Sequence, residues 1–165
     1  MSASAAETLT AVKAAASQTA ELKAEADDIT ADEVHNQVYR FTRGLQTQCA
    51  TLARGVRWEQ GPALSEEDQQ QLAAATDGFL EAETQLLSVL VEKAETIRMS
   101  DNAYAVPLVA IMRTLRGAIH DVFRTVVQSV PTCDDSVRKS YEDLAAELKK
   151  FGTLIPVGLL SRPAG

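Results

Sequence analysis

The sequence predicts an all-α fold: an antiparallel up-and-down five-helix bundle with an apolar C-terminal tail packed on it. Three observations carry this. Alanine is abundant while aromatic residues make up only 5% of the 165 residues, a composition that favours helix. Apolar residues recur at spacings of three and four over long stretches, which places them on one helical face. Glycine and proline gather mostly at the junctions between those stretches, and short junctions favour antiparallel neighbours. The bundle is assigned to residues 1–152 and the tail to residues 153–165.

The first helix covers roughly residues 4–28, with a thin stripe of Leu9, Val12, Ala16, Thr19 and Leu22. So weakly apolar a helix must draw its stability from docking. The second opens on Thr30-Ala-Asp-Glu33, which reads as a capping box, and continues through Val34, Val38, Phe41, Leu45, Cys49 and Leu52. Gly55 fits the left-handed position just past its end, with Val56 as the apolar follower. "RWEQGPA" is a loop, in which Trp58 is expected to plug the bottom of the core, a surface contact being the minority reading.

Ser65-Glu-Glu-Asp68 starts the third helix with its acids at the positive end of the dipole. Leu72, Phe79, Leu86, Leu87, Leu90, Val91 and Ile97 continue it, and Lys93 and Arg98 sit near its negative end. Val106 precedes Pro107 and is biased away from helix, so Pro107 is expected to open the fourth helix at its first position. Leu108, Met112, Leu115, Ile119, Val122, Phe123, Val126 and Val130 form the strongest stripe in the chain, stopped by Pro131. Thr132 or Asp134 caps the fifth helix, whose face is Val137, Tyr141, Leu144, Leu148 and Phe151 and which Gly152 ends.

Residues 152–160 read "GTLIPVGLL", apolar and uncharged, with no helical or strand period. The second and fourth helices run about 24 residues and the fifth about 17, so the fifth stops about 10 Å short at 1.5 Å per residue. Leu154, Ile155, Val157, Leu159 and Leu160 are expected to fold over that open end, as a lid on a cavity or as a plug that completes the core. An external docking or membrane-touching segment is the weaker alternative.

A formal net charge of −7 and a pI near 4.8 argue against nucleic acid, which needs clustered Lys and Arg, and against adsorption to anionic lipid. No apolar run approaches the roughly 20 residues of a membrane span. "MSASAAETLT" lacks the basic and apolar regions of a signal peptide. His35 reads as a surface residue and His120 as the edge of the fourth stripe. Neither joins a metal-ligand cluster, and Glu81, Glu83 and Glu92 lack the Glu-x-x-His partners of carboxylate-bridged metal bundles. No catalytic triad and no phosphate-cradling glycine loop can be read, so neither metal nor cofactor is expected. Cys49 and Cys133 permit one disulfide. A bridge would be strained, and a buried core thiol at Cys49 is preferred.

From Leu64 onward, "LSEEDQQQLAAATDGFLEAETQLLSVLVEKAETI" is followed by the proline-led stripe "PLVAIMRTLRGAIHDVFRTVVQSVP" and a short final helix. This pattern resembles the hydrophobic surface-binding protein A family of fungi, which includes cell-wall mannoproteins of the Mp1 type. The resemblance spans about residues 5–151. It rests on the Leu-Ser-x-x-Asp helix start, the "LLSVLVEK" segment and the amphipathic helix ending in Val-Pro. It implies a secreted or wall-associated five-helix bundle; members adsorb to hydrophobic surfaces, and some enclose a long-chain fatty acid. The lack of a visible signal peptide keeps a cytoplasmic location as the alternative, and the segment after Phe151 is not part of the pattern.

Taken with the long apolar stripes, the resemblance implies non-enzymatic binding of a fatty acid or similar amphiphile in the bundle core. Each buried methylene is worth about 0.8 kcal/mol. The walls would be Phe41 and Leu45 from the second helix, and Phe79, Leu86 and Leu90 from the third. The fourth adds Met112, Leu115, Ile119 and Phe123, and the fifth adds Tyr141, Leu144 and Leu148. Thr42, Gln46, His120 and Tyr141 border the stripes as candidate head-group anchors. The competing readings are a plain packed core and a surface-active adhesion protein without an internal ligand. A third is a small enzyme using His120 and Tyr141 for proton transfer. Gly44, Gly78 and Gly117 lie inside helices, marking close approach, ligand space or tolerated surface sites.

Overall fold

The structure is a computed structural model that describes residues 3–57, 61–131 and 135–155. Among them are five helices and no strand: α1 (Ala3–Asp27), α2 (Val34–Ala53), α3 (Glu66–Arg98), α4 (Asn102–Ser129) and α5 (Asp135–Leu154). The all-α bundle is therefore the fold that forms. Trp58, Thr132, Cys133, Asp134 and the tail from Pro156 onward lie outside the described residues.

Five local details differ from the sequence expectations. The proposed Thr30 capping box is not made: α2 begins at Val34, and its N-cap residue Glu33 makes no side-chain cap bond. Gln37 organises this end instead, accepting from the Thr30 amide at 2.8 Å and donating to the Asp28 carbonyl at 2.6 Å. Gly55 is not left-handed. It is small because α1 passes close by, and a Cβ there would lie 2.9 Å from that of Ala11. The Thr8 hydroxyl donates to the Gly55 carbonyl at 2.7 Å across the same contact.

Pro107 does not open α4 but sits inside it. The helix starts at Asn102, where Asp101 accepts from the Ala103 amide at 3.0 Å. That cap and the docking of Ala105 and Tyr104 on the core offset the backbone bond that proline cannot donate. Gly152 does not end α5, which runs on to Leu154. With no strain to relieve, glycine there is an ordinary helical residue. Ile155 is buried as expected, whereas Leu154 points outward, 45% exposed. Ser65 caps α3 as the sequence indicated, accepting from the Asp68 amide at 3.2 Å.

The helices form a ring around one core. α1 packs along both α2 and α3; α4 lies on α2, and α5 lies on α3. Small buried residues on α1, among them Ala5, Ala11, Ala15 and Ala26, let both neighbours approach it closely. Gly44 serves the same end on α2, since a Cβ there would fall 2.5 Å from the Leu22 side chain. The ring closes where α4 meets α5, and that contact is sparse although the two helices are consecutive in the chain. No helix among the described residues is long and apolar enough to cross a membrane.

Candidate functional site

The α4–α5 seam is the loose contact of the ring. At one end it is sealed. The Phe123 ring stacks on Tyr141 at 4.1 Å and 7°, and the Tyr141 hydroxyl lies 2.8 Å from His120 Nδ1. Beyond that end lies a groove of about 770 Å³ between the two helices, open to solvent. α4 contributes Val109, Met112, Arg113 and Arg116 at helical spacing, and α5 contributes Ala145, Leu148, Lys149 and Gly152 at the same spacing. Phe151 and Ile155, both buried, complete the floor. Gly152 opens onto free space, since a Cβ added there would meet nothing within 4 Å.

A smaller cavity of about 240 Å³ lies between the start of α1 and the end of α4. Several of its polar groups are already engaged. Thr8 bonds the Gly55 carbonyl, Thr125 bonds the Asp121 carbonyl at 3.0 Å, and Arg57 pairs with Glu7. It offers less free recognition chemistry than the α4–α5 groove.

Of the twelve residues expected to line a cavity, nine are fully inside the core: Phe41, Leu45, Phe79, Leu86, Leu90, Met112, Leu115, Ile119 and Leu144. Phe123, Tyr141 and Leu148 are partly buried against it. The groove brings together Met112 and Leu148 from that set. Leu115, Ile119 and Leu144, on the same two helices, are core residues further along the seam. Among the candidate anchors, Thr42 is buried and spends its hydroxyl on the Val38 carbonyl at 2.7 Å. Gln46 is exposed. His120 and Tyr141 meet each other, and neither lines the groove.

Arg113, Arg116 and Lys149, which the sequence analysis did not single out, are brought together by this groove. The available signal was their spacing: they flank the apolar stripes of α4 and α5 on the sides that face each other.

A buried polar cluster lies across the ring, where α1, α2 and α3 meet. The Thr19 hydroxyl donates to Glu83 Oε2 at 2.7 Å, and Gln48 Nε2 donates to the Thr19 hydroxyl at 2.8 Å. All three side chains are essentially inaccessible. Burial pushes the Glu83 carboxyl up to about 7, against the opposing effect of the Thr19 and Gln48 hydrogen bonds. Glu83 Oε1 and Gln48 Oε1 have no hydrogen-bond partner among the described residues. Cys49, a free buried thiol beside this cluster, is pushed up to about 11, first by burial and then by the Glu83 charge. Among the described residues no group of three or more His, Cys, Asp or Glu side chains is placed to hold a metal ion.

No family model matches this chain, and no curated protein matches it. Among solved structures it is similar to the crystal structure of AFMP4P in complex with palmitic acid, with a TM-score of 0.66 and 14% sequence identity. The match covers 92% of this chain and 99% of that one. At that identity the likeness shows a shared helical fold.

Proposed function

We propose that this protein binds a long-chain fatty acid or a similar single-chain amphiphile without transforming it, with the acyl chain in the α4–α5 groove. The observation that carries this reading is the groove itself, with its apolar floor of Met112, Leu148, Phe151 and Ile155 in the least tightly closed seam of the ring. Burying ten or so methylenes at about 0.8 kcal/mol each outweighs the cost of ordering one flexible chain. A longer chain would pass between α4 and α5 toward Leu115, Ile119 and Leu144. Parting these two helices breaks fewer contacts than parting any of the strongly packed pairs. The palmitic acid held by the structurally similar AFMP4P supports the reading. So does the sequence resemblance to the fungal hydrophobic surface-binding protein A family.

The test is direct. Purified protein is extracted with organic solvent and the extract analysed by mass spectrometry, and delipidated protein is titrated with palmitate against a fluorescent fatty acid. Saturable displacement at one site per chain is the expected result. Adsorption to hydrophobic beads with no stoichiometric ligand would instead favour a surface-active adhesion protein and overturn the proposal.

A further inference from the structure

We infer that Arg113, Arg116 and Lys149 form the head-group end of the α4–α5 groove, and that its ligand is a carboxylate-bearing single-chain amphiphile rather than a neutral lipid. The inference rests on the reading of the groove as an acyl-chain site and adds the chemistry of its rim. The chain carries a net charge of −7, yet three cations line this one groove and no acidic side chain does. All three are exposed, and none of their side chains has a hydrogen-bond or ion-pair partner among the described residues. Two nearby carboxylates of α5 are engaged elsewhere, Asp143 with Lys139 at 3.2 Å and Glu147 with Lys150 at 2.7 Å, and the exposed Glu142 does not line the groove.

Arg113 and Arg116 stand one turn apart on α4, and Lys149 lines the same groove from α5. A guanidinium presents two parallel N–H donors that match the two oxygens of a carboxylate, and a lysine adds a further donor. The rest of the seam offers a carboxylate nothing comparable. The floor is apolar, where an unpaired charge is costly. At the sealed end, Tyr141 and His120 are bonded to each other. The buried polar cluster across the ring is built around a carboxyl, Glu83, which would repel a second one in its charged form. The head group therefore stays at the rim while the chain runs along the floor.

The experiment compares palmitate with 1-hexadecanol, which has the same chain and no charge, in displacement titrations on delipidated full-length protein. The variant is Arg113→Gln/Arg116→Gln/Lys149→Gln. All three positions are exposed, and unchanged circular dichroism confirms that it folds. The expected result is that wild type prefers palmitate by about tenfold or more, as charge-assisted bonds would give. The triple variant should lose about tenfold in palmitate affinity and keep its hexadecanol affinity within about twofold. Added salt should weaken palmitate binding to wild type and leave hexadecanol unaffected. A second variant, Arg113→Glu, should weaken palmitate binding by repulsion. If wild type binds both ligands and the variants bind palmitate unchanged, the rim assignment is wrong while the groove reading stands. If wild type binds neither ligand, both fail.

Discussion

The Thr19 hydroxyl donates to the Glu83 carboxyl at 2.7 Å, joining α1 to α3 inside the core with both side chains 0–1% exposed. This bond places a titratable group where its charge is costly. The Glu83 carboxyl is raised by burial to about 7 from its ordinary value of 4.5, so the folded protein holds this proton more tightly than the unfolded chain does. Its stabilising contribution is complete below about pH 4.5 and is lost as pH rises through about 7. Cys49, the other titratable group beside it, is pushed up to about 11 and stays neutral throughout this window. From Glu83 we expect a fall in stability of up to about 3 kcal/mol across that range. Glu83→Gln should flatten this component of the profile and raise the melting temperature at pH 8. Melting curves recorded from pH 4 to pH 8 check this, and a variant with an unchanged slope would refute it.

Pro107 occupies an exposed position inside α4, so its replacement opens no cavity. Pro107→Ala restores the backbone donor and removes a clash with the preceding turn. It should stabilise the protein by about 1–3 kcal/mol, read as a higher midpoint in urea. A lower midpoint would show that the ring itself is needed where α4 begins.

Gly152 opens onto the groove. Gly152→Ala should raise stability by up to about 1 kcal/mol, as expected for a helical glycine. Gly152→Trp should put its ring into the groove and reduce palmitate affinity by about tenfold or more with the circular dichroism unchanged. Undiminished binding by the tryptophan variant would move the acyl chain elsewhere.

Phe79 is 1% exposed and belongs to the central core. If it packs there rather than lining a ligand space, Phe79→Ala should cost about 3–5 kcal/mol with or without fatty acid. A cost seen only in the lipid-loaded protein would make Phe79 a ligand contact.

The Cys49 thiol is free and buried, and its raised pKa suppresses the reactive thiolate. Iodoacetamide at pH 8 should leave it unmodified in the folded protein and alkylate it after denaturation, as read by peptide mass spectrometry. Rapid labelling of the native protein would mean that α2 opens locally.

The sequence alone determined the five helices and most of the core. Stripes such as Val38, Phe41, Leu45 and Leu52 are set by local periodicity, and a cap such as Ser65 needs only the next three residues. The details it missed were decided by parts of the chain it could not bring together. Gln37 displaced the Thr30 box by reaching back to Asp28, and Gly55 is small because α1 passes it. Pro107 is tolerated because the turn before it docks on the core. Glu83 looks like one more acid along a helix, and it becomes a buried proton-binding group only when Thr19, 64 residues away, and Gln48, 35 away, close around it. Arg113, Arg116 and Lys149 look like solvated charges until α4 and α5 lie side by side. Periodicity says which face of a helix is buried. Which helix covers that face, and how tightly, depends on fitting all five surfaces at once, and the order of the ring decides that its loosest contact falls between α4 and α5.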